Sequence, residues 1–120
     1  MGTPAVEAYE LILRKLAIRD DAYIEFLQSS EEGSLTESTL EVKARSLVRI
    51  AALAAIDATT PSYLEAVESA REDGASDDEI VGVLIAVIPA VGVPRVVSAA
   101  PKLALALGYD VGAALERFDG

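Results

Sequence analysis

Asp57 is the side chain best placed to do chemistry. It closes an uncharged stretch, Ile50-Ala51-Ala52-Leu53-Ala54-Ala55-Ile56, and the hydroxyls of Thr59, Thr60 and Ser62 follow it around Pro61. On a helix Asp57 shares a face with Ile50 and Leu53, which predicts a partly buried carboxylate. Burial raises a carboxylate's pKa and makes it a usable general acid or base. The segment Thr59 to Ser62 reads as a helix N-terminus, where free N–H groups and the helix dipole favour an anion or a polar ligand atom. Arg49 and Arg95 are the cations that would offset such a ligand's charge. This predicts a site with Asp57 as the catalytic group and Thr59, Thr60, Ser62, Arg49 and Arg95 as ligand-binding residues. Structural uses of the same residues stay open. Asp57 would equally serve in an ion pair with Arg95, or with Arg45 or Arg49 of another subunit. Thr60 would cap the helix while Thr59 and Ser62 bond to the backbone. Tyr63 either donates a phenolic hydrogen bond into the site or fills the core.

The residue types that are missing narrow the chemistry. The chain has no Cys, which removes disulfides, thiol redox chemistry and thiolate metal sites, and no His, the usual proton carrier near neutral pH. Carboxylates, Tyr, Lys and Arg must take those roles, and no metal or cofactor is expected. A net charge of −10, with the basic residues scattered, repels phosphate backbones and anionic lipid heads, so neither nucleic acid nor a membrane is an expected partner. No cationic segment precedes an apolar one at the start, and Glu7 and Glu10 come early, so a cytoplasmic protein is expected. The longest uncharged run, Ile80 to Pro94, is short for a bilayer and contains Pro89 and Pro94. Hydrophobic residues make up 52% of the chain and the mean hydropathy is +0.34. Apolar surface is therefore expected to be hidden between copies, and a homo-oligomer is the partner this composition implies.

The elements that must position the site read as helices throughout. An N-terminal helical hairpin is expected over 1–34 and a helical core over 35–120. Thr3-Pro4 reads as a cap and first helical position, ahead of an amphipathic helix carrying Val6, Tyr9, Leu11, Leu13, Leu16 and Ile18. Asp20 or Asp21 caps a second helix with Tyr23, Ile24, Phe26 and Leu27 on its buried side, and the polar run Gln28 to Glu37 is a loop or hinge. Ser38 and Glu41 fit a capping box, which starts a central helix that runs to about Ala58, is buried on every side, and carries a Glu41, Arg45, Arg49 ladder along one edge. Thr60-Pro61 begins the next helix, with Tyr63, Ala66, Val67 and Ala70 inward, and Gly74 ends it. Ser76 to Glu79 is a second capping box, and it marks the apolar run Ile80 to Ile88 as a helix rather than a strand. Pro89 is expected to end that helix, and Pro101 to kink or divide the last long one. Gly108 terminates it, and Asp110 caps a short final helix.

Three pieces of this chain, Leu40 to Leu53, Ala70 to Leu84 and Val91-Gly92-Val93-Pro94-Arg95 with Ala99-Ala100, resemble the carboxymuconolactone decarboxylase and alkylhydroperoxidase D family. The most telling part is the Gly-Ala-Ser-x-x-Glu-Ile turn followed at the right distance by Gly-x-Pro-Arg. The resemblance implies an all-α, compact multi-helix domain whose subunits pair through the central helices, commonly as trimers or hexamers. It carries Gly74, Glu79, Gly92, Pro94 and Arg95 over as scaffold residues. The family's redox members bear Cys-x-x-Cys-x-x-x-His where the central helix breaks. That motif falls on Thr59 to Ser62 with its His on Ala66, and an earlier family Glu falls on Ser46. Without thiols, peroxide reduction is not expected. The decarboxylase branch handles an anionic lactone and generally keeps a His near the same break, which this sequence lacks. The resemblance therefore implies a member without redox activity: a lyase or isomerase acting on a small carboxylated metabolite, or else a non-catalytic oligomeric scaffold or interaction protein.

Overall fold

A computed structural model describes residues 7–29 and 37–119, with side chains to Glu116. All regular structure among these residues is helical, in seven helices: α1 (Ala8–Ala17), α2 (Asp21–Ser29), α3 (Val42–Ala55), α4 (Thr60–Glu72), α5 (Asp77–Val91), α6 (Val93–Leu107) and α7 (Val111–Asp119). None of them is long and apolar enough to cross a membrane. The chain divides into two compact units, one up to Thr39 and one from Leu40 onward.

In the first unit α1 packs on α2. The N–H of Tyr23 donates to Asp20 Oδ1 at 3.1 Å, which makes Asp20 the cap of α2. Tyr23 is the buried residue of that helix, its hydroxyl donating to Glu37 Oε2 at 2.8 Å. Phe26, expected inside, is exposed, and α1 has no buried residue: Tyr9, Leu11, Leu13 and Leu16 are exposed and Ile12 is half-buried. The expected Thr3-Pro4 start and most of the Gln28 to Glu37 loop lie outside the described residues.

The second unit is a four-helix bundle with α7 appended to α6. Helix α3 is flanked by α4 and α5, and α6 lies between those two across from α3. Its core joins Ile50 and Ala54 of α3, Tyr63, Val67 and Ala70 of α4, Ile80 and Leu84 of α5, and Ala99 and Leu103 of α6. Ala54, Ala70 and Ala99 have no exposed surface. These small side chains let the helix backbones come close where the larger residues interlock.

Local chemistry sets most of the helix ends. Ser76 Oγ accepts from the N–H of Glu79 at 3.1 Å while Glu79 Oε1 accepts from the N–H of Ser76 at 3.0 Å, so the expected capping box starts α5. The backbone bond from Ser76 and the ion pair with Lys43 hold Glu79 below the usual carboxylate range. Arg71 fastens three ends together. It donates to both carboxylate oxygens of Asp77 at the start of α5 and to the carbonyl of Leu107 at the end of α6, a group that the helix itself leaves unpaired. Gly74 and Gly108, at φ of 93° and 91°, close α4 and α6, and Asp110 Oδ1 accepts from the N–H of Ala113 at the start of α7.

Several expectations are corrected. Helix α3 starts at Val42, not at a Ser38 capping box, because Glu41 is extended (φ −61°, ψ 154°) and makes no side-chain cap bond. It ends at Ala55 with Ile56 as its C-cap. The cap of α4 is Thr59, one residue ahead of Thr60, with Pro61 in the first turn. Neither Pro89 nor Pro101 ends or divides its helix: Pro89 lies two residues before the end of α5 and Pro101 in the middle of α6. A proline deprives the carbonyl four residues earlier of its donor. Those carbonyls belong to Ile85 and Val97, residues that are 68% and 64% exposed and so lie on a side of each helix that water reaches. Finally, α3 is not covered on every side by its own chain. Val48, Ala52, Ala55 and Ile56 remain exposed.

Candidate functional site

The residues around the α3–α4 junction converge with one face of α6. Asp57 lies just past the end of α3 at φ 55°, in the left-handed region that costs a residue with a Cβ. Its N–H bonds to the carbonyl of Ala54, and that of Ala58 to Leu53, so the turn is fixed by the backbone. Two side chains one turn apart on α6 reach it. Ser98 Oγ donates to Asp57 Oδ1 at 2.7 Å, and Lys102 Nζ donates to the same oxygen at 3.1 Å. Lys102 also donates to the carbonyl of Ala58 at 2.9 Å. Among the described residues, Asp57 Oδ2 has one neighbour of opposite charge, Arg95 Nη1 at 3.7 Å. The carboxylate is thus anchored through one oxygen and presents the other.

This geometry reverses the expected electrostatics. The Asp57 side chain is 38% exposed, and its pKa lies below the ordinary carboxylate value. The hydrogen bond from Ser98 is the main cause, followed by the hydrogen bond and charge of Lys102, with Arg95 adding less. The raised value expected for a carboxylate buried on an apolar helix does not arise, because the residue leaves the helix and meets two cations. Asp57 is therefore ionised at neutral pH. A carboxylate with a depressed folded pKa adds stability above its unfolded pKa and loses it as pH falls through the folded one. The stability gap between wild type and Asp57→Asn should be constant above about pH 5 and shrink progressively below about pH 4. Urea titrations at stepped pH measure it, and a gap that stays constant down to pH 2.5 would show that the carboxylate is unpaired.

The hydroxyl groups lie at the first turn of α4. Thr59 is exposed, while Thr60 and Ser62 are half-buried. No side chain caps this helix; Pro61 has no N–H and that of Ser62 bonds to the carbonyl of Thr59 at 3.1 Å, which leaves the N–H of Thr60 as the open donor of the first turn. Tyr63, one turn in, has no exposed surface, and its hydroxyl has no hydrogen-bond partner. Its pKa is raised, first by burial and then by the charge of Asp57.

The structure therefore brings Asp57 and Arg95 together, next to the segment Thr59, Thr60 and Ser62. It does not bring Arg49 to Asp57: that residue sits two turns back along α3. Nor is there an ion pair between Glu41 and Arg45, whose Nε and Nη1 are buried without a hydrogen-bond partner. Glu41 stays exposed ahead of the helix. Ser46, buried at 3% exposure, donates to Asp73 at the other end of the bundle. Sequence reasoning missed Ser98 and Lys102. Their spacing of one helical turn, on a helix otherwise poor in charge, is the signal that they share a face. A separate, half-open apolar cavity of about 410 Å³ lies between α5 and α6, lined by Val81, Leu84, Ala100, Leu103, Ala104 and Tyr109 among others. It shares no residue with the Asp57 cluster.

Comparison with known proteins agrees with this helical core. Residues 21–105 match the model of the carboxymuconolactone decarboxylase family. No curated protein and no solved structure gave a match to the chain. The matched span runs from the start of α2 through nearly all of the bundle, taking in the α3–α4 junction, the Ser76 capping box and the Gly92 joint. On that coverage the chain belongs to the carboxymuconolactone decarboxylase family.

Proposed function

We propose that this family member works without thiol chemistry and binds a small carboxylated metabolite at the α3–α4 junction, where it catalyses a lyase or isomerase step. The single observation that carries this reading is the asymmetry of Asp57. Ser98 and Lys102 both hold Oδ1, leaving Oδ2 as the proton acceptor, always ionised at neutral pH but a weak base because the same contacts lower its pKa. Arg95, half-exposed and 3.7 Å from Oδ2, is loosely enough held to turn toward a substrate carboxylate. The N–H of Thr60 and the hydroxyls of Thr59, Thr60 and Ser62 offer further donors to the same anion, since Pro61 has no N–H and that of Ser62 is bonded to Thr59. Lys102 keeps the carboxylate oriented rather than transferring protons, since both Asp57 and the carbonyl of Ala58 hold its ammonium. Arg49 would join only if a second copy brought it to the site.

Screening a panel of short mono- and dicarboxylates against the wild-type protein by ligand-detected NMR tests the binding half of this proposal. Arg95→Gln should weaken any hit about tenfold, the scale of one charge-assisted hydrogen bond. Turnover of a hit should be abolished in Asp57→Asn and reduced in Thr59→Val. If both variants keep full turnover, the site lies elsewhere.

A second reading, a non-catalytic oligomeric scaffold, draws on a different observation. Val81 and Ile85 of α5 and Val93, Val97 and Leu105 of α6 are all exposed, and no charged residue occurs between Ile80 and Pro94. Such a surface calls for a homo-oligomer, with a trimer or hexamer as the proposed assembly. Light scattering on the purified protein reads its mass directly.

A further inference from the structure

We propose that the hydroxyl of Tyr63 is a ligand-facing donor of the Asp57 site, a positioning group for an acceptor oxygen of the bound carboxylate. This rests on the small-carboxylate reading given above and extends it to a residue that the core would otherwise claim. Tyr63 is wholly buried, among the bundle's most enclosed side chains, yet its hydroxyl makes no hydrogen bond. A buried phenol without a partner forfeits its hydration and gains nothing in return, and such groups are uncommon in folded proteins. Phenylalanine would fill the same space without that loss.

The direction of the side chain points to the site. Long side chains on a helix lean toward its N-terminus, so from the first turn of α4 the Tyr63 ring leans back toward Thr59, Thr60 and the Asp57 turn. The hydroxyl lies close enough for the Asp57 charge to raise its pKa, in addition to the effect of burial. It therefore stays protonated at neutral pH and acts only as a donor to an incoming acceptor. The Asp57 side chain is partly open to solvent whereas the Tyr63 hydroxyl is enclosed, so binding requires the α3–α4 turn to give way as the ligand's acceptor oxygen enters beside Asp57. A ligand with an acceptor oxygen is selected, and a cationic or purely donor ligand is not.

Tyr63→Phe separates this role from an ordinary packing role, because the two predict opposite stability effects. Thermal unfolding of the ligand-free variant should give a melting temperature equal to or slightly above wild type, since only an unpaired hydroxyl has been removed. Malonate, titrated into both proteins by calorimetry, should bind the variant about tenfold or more weakly than wild type. Malonate binding that is equal in both proteins overturns the role of Tyr63 and leaves the site standing. A melting temperature several degrees lower in the ligand-free variant also overturns it, because the hydroxyl would then be paired within the protein, for example through an internal water. Failure of wild type to bind malonate overturns the site reading and this role together.

Discussion

Ile50→Ala should destabilise the protein by about 2–5 kcal/mol. Ile50 has no exposed surface and sits at the centre of α3, packed in one cluster with Tyr63 and Val67 of α4 and Ile80 and Leu84 of α5. Truncation removes the transfer free energy of the lost methyl and methylene groups. It also leaves a cavity that three neighbouring helices cannot close without moving their own contacts. Against a typical domain stability of about 5–15 kcal/mol this is a large fraction. It corresponds to a fall in melting temperature of roughly 10 °C or more for a chain of this size. Val48→Ala, on the exposed side of the same helix, should change stability by less than about 0.5 kcal/mol. Urea unfolding of the pair measures the contrast. Equal effects would mean that α3 is not oriented as described.

Gly92→Ala should cost about 1–3 kcal/mol, and for a different reason. Gly92 alone joins two 15-residue helices, serving as C-cap of α5 and N-cap of α6 at φ 87° and ψ 157°. That backbone conformation is essentially confined to glycine. A Cβ placed there meets only Pro94 Cδ, at 3.8 Å, an ordinary contact. The penalty is therefore conformational rather than a clash, and it would change the angle at which α6 returns along the bundle. Since α6 carries Arg95, Ser98 and Lys102, the variant should also loosen the Asp57 cluster. Gly82→Ala is the matched control. Gly82 lies in the middle of α5 with nothing within 4 Å of a built Cβ, so alanine should stabilise by about 0.5–1 kcal/mol through helix propensity. Opposite signs in thermal unfolding confirm that the two glycines do different work. A neutral Gly92→Ala would show that the joint can relax.

The exposed apolar surface bears on both functional readings. Within one chain, Ile56 next to Asp57 is 70% exposed, so the mouth of the site borders an apolar surface that an oligomer would cover. If copies associate there, their edges would shape the entrance to the proposed site and limit which ligands reach it. The mass of the assembly is therefore a useful first measurement before a substrate search.

The helices, their order and several of their ends follow from the sequence through short-range rules. Ser76 and Glu79 make both bonds of the capping box that their spacing predicts, Asp20 caps α2, and Gly74 and Gly108 adopt the left-handed angles that close a helix. Each depends on residues within about four positions, which is the range over which backbone donors and acceptors are shared. The inward positions Tyr63, Val67 and Ala70 were likewise legible, from the 3.6-residue period of α4.

What the tertiary structure alone decided depends on partners distant in the chain or on solvent. That α5 and α6 run on past Pro89 and Pro101 is decided by the packed bundle, because the local rule that proline ends a helix predicts otherwise. The protonation state of Asp57 was set by Ser98 and Lys102, 41 and 45 residues away. An apolar sequence around a carboxylate predicts desolvation, but the folded chain turns it out of the helix onto two cations, and at short range hydrogen bonds and charge outweigh burial. Local pattern therefore fixed the helices of this protein, and only their packing determined which charges meet at the junction between them.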